Sequence, residues 1–149
     1  KLTTFYTGPI DEYFNYKFGN LTWRSLHFEY EEKNQEYFQD YVQINYPNDF
    51  DYTRCVEIKH VTKQIHPKTV LSYEYPSALG EPYYPIKNPS NDKIFKIYNE
   101  KVKEIERTGS TFFVGRLANY KYINIDQAIE LAIEKTNLFY KQFDIYNYK

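Results

Sequence analysis

Along the 149 residues the hydrophobic period shifts from alternating to helical close to Ser90. Before that point β-formers alternate with polar residues in "LTWRSLHFEYEE", "YVQINYP", "YTRCVEIKHV" and "KTVLSYEY", with Pro67 and Pro76 as breaks. Strand side chains point to opposite faces in turn, so this pattern predicts an antiparallel meander with short connections. Leu2 to Tyr6 reads as a short strand ending at Gly8-Pro9, and "DEYFNYKF" as two helical turns stopped by Gly19-Asn20. Beyond Ser90, residues Ile94, Ile97, Tyr98, Lys101, Val102 and Ile105 recur at helical spacing up to Gly109. "STFFVG" is a continuous apolar run of the kind buried on both faces. A last helix is expected after Asn124, with Ile125, Ile129, Ala132, Ile133, Thr136, Tyr140 and Phe143 on one side. Asn124 and Gln127 have the spacing of a capping box. The expected class is therefore α+β: an antiparallel sheet of about five to six strands followed by a strand-helix unit.

The length suits one domain with a real core. A formal net charge of −1 excludes a broad attraction to nucleic acid or to an anionic membrane. No apolar run reaches the roughly 20 residues that span a bilayer. The single Cys55 has no internal disulfide partner, which fits a reducing compartment, and a small buried thiol is expected there. His27, His60 and His66 lack the spacing of a zinc site, so no metal is expected. Neither a G-x-G-x-x-G nor a G-x-x-x-x-G-K-[ST] phosphate loop occurs. Met is absent and the chain starts inside the apolar run "KLTTFYTG", which together predict a piece of a longer protein.

Three places carry candidate chemistry. If residues 52–60 form one strand, Arg54 shares a face with Val56 and Ile58 and must meet an anion. That anion is either a carboxylate, such as Glu29 or Glu57, or a phosphate bound in a bidentate fork. In "GEPYYPIKNP" the prolines restrict the backbone, so Tyr83 and Tyr84 serve either a structural turn or a preorganised ligand loop. In "VGRLANYKYINIDQ", an apolar strand ends at the Gly115-Arg116 pair and leads to a helix N-terminus, where free N–H groups favour an anion and Arg116 adds a cation. Tyr120 and Tyr122 are expected on one side of an extended connection; a hydrogen-bonded core corner would use the same residues.

"TGPIDEYFNYKFG", "WRSLHFEYE", "INYP", "YTRCVEIKH", "EPYYPI" and "GRLANYKYINIDQAI" stand in the order seen in UDP-galactopyranose mutases, and the chain resembles the C-terminal portion of that family. The resemblance implies FAD, in its reduced form for activity, and interconversion of UDP-galactopyranose and UDP-galactofuranose through a flavin N5–sugar adduct. It implies that Arg54 and Arg116 are catalytic and that Asn45, Arg54, Tyr84 and Tyr122 contact the substrate. Gly115, Arg116, Asn124 and Ile125 would face the cofactor. Asn124 and Ile125 replace the family's usual Asp and Met, and Ala118 replaces a Gly. Asparagine still caps a helix but does not repel an anionic flavin edge.

On this reading residues 1–87 supply most of a substrate-facing and FAD-facing sheet, and residues 88–149 close a Rossmann-like FAD domain in the parent. The glycine fingerprint is missing, so the isolated chain is expected to be inactive. A cytoplasmic enzyme serving cell-surface galactofuranose glycans is expected, with UDP-galactose as its partner and neither nucleic acid nor membrane. The apolar surface left by truncation favours self-association, such as a homodimer. The alternative is a diverged module that binds a nucleotide sugar, carbohydrate or protein without catalysis.

Overall fold

A computed structural model describes residues 2–143. In chain order the elements are β1 (Thr4–Tyr6), α1 (Ile10–Tyr13), β2 (Trp23–Lys33), β3 (Gln43–Asn45), β4 (Arg54–Val56), α2 (Lys59–Thr62), β5 (Thr69–Ser77), β6 (Tyr84–Pro85), α3 (Pro89–Arg107), β7 (Thr111–Phe113), α4 (Gly115–Ala118) and α5 (Ile125–Gln142). The class is α+β, with a five-stranded sheet in the order β3-β4-β5-β2-β6 and a separate β1-β7 pair. Two compact units form: one from the chain up to Trp23 together with Pro82 onward, the other from Arg24 to Glu81.

In the first unit, β1 and β7 pair in parallel with Phe5 opposite Phe112. "TFF" of β7 is wholly buried, as its unbroken apolar character requires. α3 begins where Asn88 Oδ1 accepts the Asn91 N–H at 2.8 Å, with Pro89 in the first turn. It stops at Gly109, whose φ of 67° few other residues adopt easily. Tyr98 and Val102 of α3 join Ile10, Leu21, Phe113, Ala118 and Tyr120 in the core. The core phenols are satisfied: the Tyr98 hydroxyl donates to Gly19 O at 2.7 Å, and Tyr120 Oη lies 2.7 Å from both Thr22 O and Ile86 O.

Several expectations need correction here. α1 is one turn, not two, because Asn15 and Tyr16 take positive φ and reverse the chain. α5 starts where expected, and Gln127 Oε1 accepts the Asn124 N–H at 2.9 Å. Its isoleucine stripe, however, is open: Ile125, Ile129 and Ile133 are 83%, 56% and 57% exposed. Nor does the connection after β7 stay extended. It forms the single turn α4 and then places Tyr120 at φ 44°, so the Tyr120 ring enters the core while Tyr122 stays 65% exposed.

In the second unit, β3, β4 and β5 follow one another as the meander predicts. β2 instead joins the far side of β5, pairing antiparallel from Ser25↔Ser77 to Lys33↔Thr69. Residues 52–60 are not one strand: β4 ends at Val56, and the chain turns into α2. The turn is anchored by two buried charges. Glu57 is fully buried and accepts the N–H groups of Phe38 at 3.0 Å and Gln39 at 2.9 Å. Lys59 Nζ donates to the carbonyls of Glu36 at 2.8 Å, Lys68 at 3.1 Å and His66. Buried charges persist only when paired or hydrogen-bonded, so these contacts fix the loop between β2 and β3. Cys55 is the buried thiol expected of it, 2% exposed.

Candidate functional site

In the first unit the geometry is set by the turn after β7. Gly115 takes φ 88°, and the place where a Cβ would sit has nothing within 4 Å. The Asn119 amide donates to Gly115 O at 2.9 Å and Phe113 O at 3.2 Å, which closes the α4 turn. Arg116 leaves that turn with its Nη2 donating to Ile123 O at 2.7 Å and its Nη1 to Tyr83 O at 3.4 Å. The guanidinium carbon lies 5.1 Å from the Tyr84 ring centre and 5.0 Å from that of Tyr122. Those two rings stack at 5.4 Å with 25° between their planes.

Arg116, Tyr84 and Tyr122 therefore form one cluster, although they come from separate parts of the sequence. Cation–π contact and two carbonyls orient the guanidinium. Among the described residues, no carboxylate lies within ion-pair distance of it. A cation held by rings and carbonyl oxygens retains its charge for an external anion. Asn124 and Ile125 stand at the start of α5, where the capping box pairs the Asn124 and Gln127 N–H groups and the dipole gives the helix its positive end.

In the second unit, Asn45, Arg54 and Glu74 lie in one row across β3, β4 and β5. Arg54 Nε donates to Asn45 Oδ1 at 3.2 Å, and Nη1 meets Glu74 Oε2 at 3.2 Å. The carboxylate partner is thus neither Glu29 nor Glu57. Glu29 pairs in register with Tyr73 and so projects from the opposite face, while Glu57 is committed to backbone N–H groups. Glu74 went unnoticed in the sequence; the alternation in "LSYEYPS" marks its face, but only the strand register puts it beside Arg54.

The remaining candidates are structural. His60 Nε2 lies 2.8 Å from Gln39 O and 3.4 Å from the Glu57 carboxylate, far from any metal-like arrangement. Among the described residues no group of three or more His, Cys, Asp or Glu is placed to hold a metal ion, and no helix is long and apolar enough to cross a membrane.

A family model described as UDP-galactopyranose mutase matches residues 1–122. The chain belongs to the UDP-galactopyranose mutase family. It is 41% identical to the UDP-galactopyranose mutase of Mycoplasma genitalium over 139 residues, covering 87% of this chain and 34% of that protein. It is 37% identical to the dTDP-fucopyranose mutase of Escherichia coli over 142 residues, covering 92% and 37%. It is also 37% identical to the UDP-galactopyranose mutase of Mycoplasma pneumoniae, covering 87% and 34%. The chain spans about a third of the length of these curated relatives. The family match covers Arg54, Tyr84, Arg116 and Tyr122, and it ends just before the start of α5, where Asn124 and Ile125 stand.

Proposed function

We propose that the full-length protein interconverts the pyranose and furanose forms of UDP-galactose using reduced FAD, and that this chain supplies diphosphate-binding and flavin-facing groups. The observation that carries the reading is the Arg116 cluster: a guanidinium fixed by two carbonyls and two stacked phenol rings, with no protein carboxylate beside it among the described residues. When the anomeric C–O bond breaks, negative charge gathers on the departing diphosphate. Oriented cations and phenol hydroxyls aimed at that charge lower the barrier. Arg116, Tyr84 and Tyr122 are assigned this work in the first unit, and Arg54 with Asn45 in the second.

The residues fit a flat, electron-rich ring. Gly115 leaves open space where a side chain would stand, Ile125 offers an exposed apolar surface, and α5 presents its N–H groups beside it. Gly115, Arg116, Asn124 and Ile125 are the groups that would hold the flavin, which when bound and reduced supplies the nucleophile for the sugar. In the parent, residues 1–87 would carry the substrate-facing sheet and residues 88–149 would close the FAD domain. A cytoplasmic location fits the nucleotide-sugar substrate.

The test uses full-length protein reduced with dithionite. UDP-galactofuranose is supplied, and the pyranose formed is measured by chromatography. The expected result is turnover that falls at least about a hundredfold in Arg116→Ala. Preference for dTDP-fucose would move the substrate to that of the E. coli relative, and no turnover of either would overturn the proposal. The isolated 149-residue chain is expected to show none; robust turnover by it would refute that part alone.

A further inference from the structure

We propose a second ligand site, for a neutral sugar, on the face of the sheet opposite Arg54. A cavity of about 430 Å³ lies there, lined by Glu29, Tyr30, Glu31, Tyr52, Tyr73 and Tyr75. Small-molecule pockets run from about 300 to 1,000 Å³, so one or a few sugar rings are the right scale. Strand alternation separates it from the site above. Glu29 and Glu31 of β2 and Tyr73 and Tyr75 of β5 share one face, and Arg54 pairs with Glu74 on the other, the face that Tyr30 at the rim also belongs to.

The wall is aromatic and preassembled. Tyr52 lies 4.8 Å from Tyr73 and 5.9 Å from Tyr75, centre to centre, and Phe50 stacks on Tyr52 at 4.8 Å. The floor is a set of acceptors. The Tyr73 hydroxyl donates to Glu31 Oε2 at 3.0 Å, and Glu29 and Tyr75 line the groove with them. The Tyr73 phenol has committed its proton, and each carboxylate keeps spare lone pairs. None of the lining residues is a cation, so the phosphates of the family substrate find no partner in this groove. A ligand here must bring its own donors.

Two classes do so, polyols and ammonium cations, and the charges favour the polyol. Lys33 Nζ already sits 2.5 Å from Glu31 Oε1, so the charge of that carboxylate is met within the protein. Glu31 therefore offers hydrogen-bond acceptance more than net attraction. A sugar ring matches both halves of the groove, its hydroxyls donating to Glu29 and Glu31 while its C–H face packs on Tyr52.

The experiment is ligand-observed saturation-transfer NMR on the full-length protein, with methyl β-D-galactopyranoside as the probe and excess UDP filling the nucleotide-sugar site. Binding is expected to persist with Kd on the order of millimolar, and to weaken about tenfold in Tyr52→Ala and in Glu31→Gln. The Glu31→Gln variant alters a solvent-accessible group and keeps the proposal testable if Tyr52→Ala fails to fold. Absence of a saturation-transfer signal with UDP present, equal binding by folded variants, or tighter binding of tetramethylammonium would each overturn it. Because UDP is present throughout, the outcome is independent of whether the mutase reading holds.

Discussion

Replacing Glu106 tests how α5 is held. Glu106 is 8% exposed; its Oε1 accepts the Phe113 N–H at 3.1 Å, and both its oxygens lie 2.6 Å from Lys135 Nζ on α5. No residue of α5 is fully buried, so the helix depends on partial contacts: this ion pair, Phe139 against Phe5 and Phe112, and Gln142 donating to Arg107 O at 2.6 Å. In Glu106→Ala the Phe113 N–H is stranded inside the β1-β7 layer, which costs about 1–3 kcal/mol. Lys135 has a side chain 19% exposed and can regain water. Its loss is then nearer a charge-assisted hydrogen bond, about 1.5–3 kcal/mol, than the breakage of a fully buried pair. The two terms overlap, so a total of about 3 kcal/mol is expected. Glu106→Gln keeps an acceptor for Phe113 and should cost about half as much. Urea unfolding followed through Trp23, the one tryptophan of the chain and packed at 4.8 Å on Tyr120, gives the stabilities. Hydrogen exchange of the α5 amides shows whether that helix loosens first. A loss below about 0.5 kcal/mol in Glu106→Ala, or no coupling in a Glu106→Gln/Lys135→Met cycle, would refute the reasoning.

Four further outcomes are expected. Arg116→Lys in the full-length protein keeps the charge but loses the planar fork and ring stacking, so kcat/KM for the proposed reaction should fall at least about tenfold; wild-type kinetics would contradict the cluster's role. Glu74→Ala frees Nη1 of Arg54, and UDP affinity by calorimetry should weaken by about tenfold; unchanged affinity would show that Arg54 needs no anchor. Burial pushes the Glu57 carboxyl up, but the neighbouring Thr69 hydroxyl, the Gln39 and Phe38 N–H groups and His60 outweigh it and hold the net value below the ordinary range. The resulting stability is present above the unfolded carboxylate pKa and lost as pH falls through the lowered one; Glu57→Gln should flatten that acid slope in urea titrations. Burial, with Glu12 and Asp11 nearby, pushes the Tyr6 phenol from 10.0 up to about 12. Unfolded tyrosine then ionises first, so stability should decline from pH 10 to 12, and Tyr6→Phe should reduce the decline.

The elements that sequence reading located correctly are those whose signal is local. The change of period near Ser90 and the stop at Gly109 bracket α3, Asn124 and Gln127 start α5, and "TFF" declares its burial by composition. The misread places depend on partners distant in the chain. Whether Arg54 meets Glu29, Glu57 or Glu74 is decided by strand register, which alternation alone does not fix. Tyr120 and Tyr122 look equivalent two residues apart, yet one left-handed residue sends them to core and solvent. The motif order of the mutase family supplied the site candidates; the Arg116 cluster is where the fold brings three of them together.

The second unit is threaded into the first. Thr3 Oγ1 donates to Gly109 O across 106 positions, while Ile86 N donates to Thr22 O at 3.1 Å where the chain departs and returns. A ribosome therefore delivers every strand from β2 to β5 before β1 can meet β7, and the earlier-completed unit must wait for its host to close. What the host needs of that insert is only that its two ends stay as near as Thr22 and Ile86, whatever the length between them. Sequence drift between relatives has room to accumulate in the insert without unfastening the first strand from the seventh.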